Sequence, residues 1–297
     1  IEEEQKRNAV KSAVVEEKIQ VGISKAMISA AKKGLPVVSI SSDLAGSTGV
    51  AGFRKEFPSH SIDVGIAESN MVSTAAGFSR MGFIPVVDTF AQFGVTKGAL
   101  PLTMASLSHS PMICVFSHTG FQDAADGASH QALSYLAMLS SIPEVDTFCL
   151  SSSIEAEQLM TQAIDEFVQA YQSGKVPHSK VFFLGRENFR QTYSAHQSFS
   201  LKSCQLIDRV QGKSPVVVVV SVSCIHEAVM AVEKIKAFGR GVIIVNPGPH
   251  NHPDTTGLKA LLAESEGRIV LVEDHQKIGG MSQMVISALV ENGVSVK

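Results

Sequence analysis

Short runs rich in β-branched residues recur along this chain, at 36–40, 84–88, 112–116, 145–150, 181–184, 216–221, 242–245 and 269–272, with helical patterns between them. Strands separated by helices cannot form hairpins. They pair in parallel, and a parallel sheet is stable only when helices cover both of its faces. The best-marked helix follows Ser152, where Ser152 and Glu155 form a capping-box pattern ahead of Met160, Ile164, Phe167, Val168 and Tyr171 at helical spacing. Between Arg186 and Leu201 the alternation breaks into a polar stretch containing Glu187, Asn188, Arg190, Gln191 and His196, then resumes. A domain boundary is placed there, giving residues 1–190 and 191–297 as two α/β domains, each a mostly parallel sheet covered by helices. The charged segment 2–18 predicts an exposed leading helix, and no internal repeat is seen.

With 297 residues, 44% hydrophobic and 18% charged, the chain is long enough for two domains with cores. Its net charge of −3, without a block of like charges, argues against a nucleic-acid surface or a polybasic membrane anchor. The longest apolar run, 215–220, is far short of the roughly 20 residues that span a bilayer, and no leader pattern opens the sequence. A cytoplasmic location is therefore expected. Cys114, Cys149, Cys204 and Cys224 are scattered without a CxxC pair, which suggests neither a disulfide framework nor a zinc site.

Three local patterns carry chemistry. In the first, Val64-Gly65-Ile66-Ala67-Glu68 runs into the small residues Ala75-Ala76-Gly77, which places Glu68 at a strand-to-helix junction where ligands meet parallel sheets. A glutamate there also serves simply to satisfy helix-start amides. The second, Asp88-Thr89-Phe90-Ala91-Gln92-Phe93-Gly94, sets two rings three positions apart just beyond a strand, where core packing is the alternative use. The third joins Ser117-His118-Thr119-Gly120 to Asp126-Gly127-Ala128-Ser129-His130-Gln131. Two histidines and an aspartate on one glycine-bearing loop suit polar recognition, because such groups are costly to bury unpaired; a structural turn is the other reading.

In this order and at these separations, the patterns resemble the pyrimidine-binding domain of transketolases. Ser42-Asp43-Leu44, Phe53-Arg54 with Phe57-Pro58, Leu184-Gly185-Arg186, and Val272-Glu273-Asp274-His275 with Gly279-Gly280 extend the resemblance over nearly the whole chain. It implies a transferase that uses thiamine diphosphate and Mg2+ to move a two-carbon ketol unit from a ketose, phosphorylated or otherwise anionic, to an aldose. Glu68 would bond the aminopyrimidine ring nitrogen, with Phe90 and Phe93 as the wall against that ring. A third aromatic common in the family is Thr96 here. His118, Asp126 and His130 would contact the sugar, the two histidines assisting proton transfer, and Arg186 would bind its distal phosphate with help from Ser42. A second phosphate-binding arginine, expected near Gln20, is absent.

The family holds the diphosphate and its metal through a Gly-Asp-Gly motif and a later asparagine. The nearest imitation here is Ala125-Asp126-Gly127, and the next asparagine is Asn188. The resemblance thus implies a partner chain carrying the diphosphate and metal, two copies of each chain, and no metal ligand in this one. Deoxyxylulose phosphate synthases share a similar loop but lack a histidine at the position of His118. The beta subunits of 2-oxo acid dehydrogenases fit the 126–131 loop less well. A non-catalytic assembly or regulatory homologue would be expected to have lost some of Glu68, His118, Asp126 and His130, and a fragment of a single-chain transketolase is a further alternative. His250-Asn251-His252 with Asp254 imitates a metal site but sits among Pro247, Gly248, Pro249 and Pro253 and reads as a turn. Glu273-Asp274-His275 reads as structural.

Overall fold

The structure, a computed structural model, describes residues 16–297 except 191, 192, 194, 195, 222 and 223. Its strands are β1 (Glu16–Glu17), β2 (Val37–Ser41), β3 (Ser61–Asp63), β4 (Ile84–Phe90), β5 (Ile113–Ser117), β6 (Val145–Cys149), β7 (Ser179–Phe183), β8 (Phe189–Arg190), β9 (Gln205–Val210), β10 (Lys213–Val220), β11 (Arg240–Asn246) and β12 (Ile269–Val272). Six of them form a sheet in the order β3-β2-β4-β5-β7-β6, parallel at every pairing. A four-stranded sheet, β12-β10-β11-β9, is parallel except at the edge, where β9 runs against β11. A separate two-stranded sheet pairs β8 antiparallel with β1. The architecture is thus two α/β domains.

Successive residues of the strands feed opposite cores, as the pleat requires. Ile113 and Val115 pack with Ile23, Met27, Met160 and Phe167 on one face. Cys114 and Phe116 pack with Met71, Leu102 and Tyr135 on the other, and that second core runs on into Val217, Val219, Ile243 and Met281 of the four-stranded sheet and its helices. The domains therefore share apolar contact as well as a chain connection.

Some expectations shift. Most of the leading helix expected over 2–18 lies outside the described residues, and its described part, Glu16–Glu17, is a strand. The apolar run before Glu68 is a loop, with Ile66 83% exposed, because the strand ends earlier at Asp63. Helix Ser153–Gln172 begins as the capping pattern predicts, Ser152 Oγ accepting from Glu155 N at 3.1 Å. The Glu155 carboxylate reaches one residue further back than a capping box does, accepting from Ser151 N and Ser151 Oγ, both at 2.8 Å. The helix packs so closely on helix Gln20–Lys32 that a Cβ on Gly22 would lie 2.0 Å from the Ser153 carbonyl oxygen.

Burial pushes the Glu155 carboxyl up to about 7, against the opposing hydrogen bonds of Ser151 and Ser152. Because the folded value lies above the unfolded one, this group's contribution to stability is full below about pH 4.5 and is lost as pH rises through 7. His250 acts in the opposite sense, since burial lowers it to about 4 and its contribution falls as the solution is acidified. Glu155→Gln retains an acceptor for Ser151 and removes the charge. Urea unfolding at a series of pH values is expected to show the variant gaining on the native chain as pH rises from about 4.5 to about 7, by up to about 3 kcal/mol in all. A constant difference across pH would remove Glu155 as the titrating group.

The histidine-rich turn is an interdomain seam. Asn251 Oδ1 accepts from Thr147 N and Oγ1, both at 3.0 Å, Asn251 Nδ2 donates to Val145 O at 2.6 Å, and His250 N donates to Thr147 O at 2.7 Å. These bonds cover β6, the edge of the large sheet. Asp254 instead caps helix Thr255–Glu264 through Gly257 N and holds Cys204 N. Across the same divide, both oxygens of Asp274 accept from Phe121 N at 3.2 Å, and the His275 ring meets Tyr135 edge-on at 4.9 Å. Among the described residues no group of three or more His, Cys, Asp or Glu is placed to hold a metal. No described helix is long and apolar enough to cross a membrane.

Candidate functional site

Parallel strands deliver ligand-binding groups at their carboxyl ends, and the chemistry-bearing residues of this chain lie beyond β2, β3, β4, β5 and β7. Glu68 is the first residue of helix Glu68–Arg80 and is only 8% exposed. Its approach is fixed by Ser42, whose Oγ donates to Gly65 O at 3.0 Å and accepts from Ala67 N at 3.1 Å. The hydroxyl that the family resemblance linked to Arg186 is thus engaged by the loop leading to Glu68. Ser69 Oγ then donates to Lys97 O at 2.6 Å, tying the start of this helix to the end of helix Ala91–Lys97.

That second helix carries Phe93 one turn beyond Phe90, which ends β4. Gly94 lets it lie on Phe116, since a Cβ there would fall 2.7 Å from the ring. The Phe90 and Phe93 rings stack at 6.2 Å with 23° between planes. His118, just past β5, has a φ of 62°, an uncommon conformation for a non-glycine residue. Its ring lies 3.8 Å from Phe90 at 30°, and His130 meets Phe93 edge-on at 5.0 Å and 80°. The four rings therefore form one cluster. Asp126 stands exposed on the loop between the two histidines.

His118 Nδ1 is bonded to Ser117 Oγ at 2.8 Å. Burial pushes this imidazole down to about 4, the field of Asp123 opposing and that of Arg186 reinforcing the fall. It is neutral at pH 7, so a ring nitrogen can accept as well as donate.

Sequence reasoning missed three groups. Asp88 is fully buried, its Oδ2 accepting from Ser41 Oγ at 2.8 Å and Thr48 Oγ1 at 2.6 Å while Oδ1 has no partner among the described residues. Burial raises it to about 6 despite those two bonds. It links β2 and the segment Ala45–Thr48 to β4, two residues before Phe90. Asp123, fully buried, forms an ion pair with Arg186 Nη1, and Gln122 Oε1 accepts from Arg186 N at 2.9 Å. The signal for Asp88 was a carboxylate inside an apolar run. For Gln122 and Asp123, on a loop far from Arg186 in sequence, no local signal existed.

With this geometry in hand, comparison with known proteins gives a consistent result. The transketolase pyrimidine-binding domain matches residues 18–170 and the transketolase C-terminal domain matches residues 207–296. Transketolase-like protein 2 of Homo sapiens is 29% identical over 254 residues, covering 85% of this chain and 39% of that protein. Transketolase of Rattus norvegicus is 29% identical over 262 residues, covering 88% and 40%. The chain thus spans about two fifths of the length of these curated relatives. Among solved structures, an inactive beta4 tetramer of a split-gene transketolase matches with a TM-score of 0.75, covering 92% of this chain and 85% of that one. Identity there is 24%, so the likeness concerns the fold.

Proposed function

Since the chain belongs to the transketolase family, we propose that it is the pyrimidine-binding and C-terminal subunit of a two-chain, thiamine diphosphate-dependent transketolase. The assembled enzyme transfers a two-carbon ketol unit from a ketose to an aldose. The observation that carries this reading is the ring cluster of Phe90, Phe93, His118 and His130 beside a helix that opens with a largely buried carboxylate, Glu68.

These residues fit the ring end of the cofactor. Phe90 and Phe93 offer an aromatic wall that would exclude water, and the largely buried Glu68 carboxyl would hydrogen-bond a nitrogen of the ring. The chemistry that bound thiamine diphosphate supplies is a nucleophilic ring carbon able to add to a ketose carbonyl. His118, neutral and steadied by Ser117, and His130, steadied by Ser129 Oγ at 3.0 Å, orient the sugar hydroxyls and move protons at them.

The diphosphate end calls for a divalent cation held by oxygen ligands, which we assign to the partner. A surface groove of about 890 Å³ lies between helices Glu68–Arg80 and Ala99–Leu107, lined in part by Ser69, Leu100 and Met104. Leu100, Met104 and the neighbouring loop residue Ile66 are exposed apolar side chains. Such a patch, starting one residue from Glu68, suits a protein interface, and we place the diphosphate-binding chain over it, two copies of each chain completing the assembly.

Calorimetric titration with thiamine diphosphate and Mg2+ tests this. The isolated chain is expected to bind weakly, because it grips the ring and leaves the charged end in water; mixing with the diphosphate-binding chain is expected to give tight binding and ketol transfer together. Tight binding by this chain alone would overturn the two-chain reading.

A further inference from the structure

Resting on the ketol-transfer reading only for the identity of the substrate as a ketose, we infer that Asp123 makes the Gly185–Arg186 end of the site select a neutral, hydroxylated terminus over a phosphate. A phosphate dianion needs hydrogen-bond donors and positive charge. Here the positive charge is already matched, although only Nη1 of the guanidinium is engaged. The Arg186 guanidinium is paired with the fully buried Asp123, so the pair carries no net charge. The backbone N–H of Arg186 is taken by Gln122 Oε1, and the side-chain amide of Gln20 donates to Gly185 O at 3.1 Å. The four charged groups acting most strongly on His118 are Asp123, Arg186, Asp126 and Lys18, two of each sign.

Two acceptors in this corner still lack a donor among the described residues. Asp123 Oδ2 and Gln20 Oε1 are both buried and, among the described residues, without a hydrogen-bond partner. Each is an acceptor whose burial unpaired is costly; through its other polar atom Gln20 holds the Gly185 carbonyl, and Asp123 holds the Arg186 guanidinium. A hydroxyl arriving there supplies what is missing. A dianion would meet a guanidinium whose charge the buried Asp123 carboxylate already compensates.

Two measurements test the inference separately. In the reconstituted enzyme, kcat/KM is expected to favour an unphosphorylated ketose such as erythrulose over fructose 6-phosphate. Asp123→Asn is expected to raise kcat/KM for the phosphorylated donor by about tenfold or more, mainly through KM. Inorganic phosphate titrated into the isolated chain, followed by the NMR signal of the arginine side-chain N–H groups, needs no turnover. The native chain is expected to show no saturable shift, Asp123→Asn to gain one, and Asp123→Asn combined with Arg186→Ala to lose it. A native chain that binds phosphate, with the binding abolished by Arg186→Ala, overturns the inference even if the Asp123 variants do not fold. If neither donor is turned over, the ketol-transfer reading fails, and the phosphate titration still decides the role of Asp123.

Discussion

Replacing Glu68 with glutamine or alanine in the reconstituted enzyme is expected to lower turnover by about two to three powers of ten, the cost of removing one preorganised polar group. The chain itself should scarcely notice. Glu68 sits in the first turn of its helix, where loss of a favourable charge costs on the order of 0.3 to 1 kcal/mol. Glutamine preserves the shape of the side chain but cannot share a carboxyl proton with a ring nitrogen, so the two substitutions should be nearly equal in turnover. Steady-state assays paired with thermal unfolding of each variant separate the two effects. Near-normal turnover of Glu68→Gln would remove this residue from the chemistry and leave it as a helix-start group.

Gly120→Val is expected to cost about 3 kcal/mol or more of stability, and to reduce turnover at least about tenfold in the chains that remain folded. Gly120 has a φ of 78°, which a β-branched residue adopts only with strain, and a Cβ there would lie 2.0 Å from Asp274 Oδ2. The valine therefore pushes away the carboxylate that receives Phe121 N, three residues beyond His118. Asp274→Ala alone loses those bonds without a clash and should be milder. Combining it with Gly120→Val should recover part of the loss. A Gly120→Val chain that unfolds at the native temperature would mean that the two domains do not meet closely at this loop.

The sheet-building runs were legible because parallel strands buried on both faces must be continuously apolar: β4, β5 and β10 each overlap such a run. The edges were not. β3 and β9 mix polar with apolar residues, Ser-Ile-Asp and Gln-Leu-Ile-Asp-Arg-Val, and so lack the continuous apolar run that marked the other strands. Glu68 was found at a helix start, although the run that announced it is loop. The clustering of Phe90, Phe93, His118 and His130 came from family resemblance and not from spacing, since nothing local says that rings from two different strand ends will meet. Arg186 shows the limit most clearly. Its identity was readable, but its working charge depends on Asp123, a partner 63 positions away that only the fold supplies.

The turn at Asn246–Asn251 bears on how this polypeptide could have been divided or fused. A strand at the border of a sheet is a template on which any extended peptide can grow, and solubility depends on hiding it. Here the hiding is done by a segment belonging to the other folding unit, through Asn246, His250 and Asn251 against β6. Severing the chain in the polar stretch before β9 would therefore leave the larger piece with a naked, self-adhesive border, open to polymerisation. Recombination between relatives should keep the two halves travelling together, with cuts tolerated ahead of the pyrimidine-binding half and selected against within the pair.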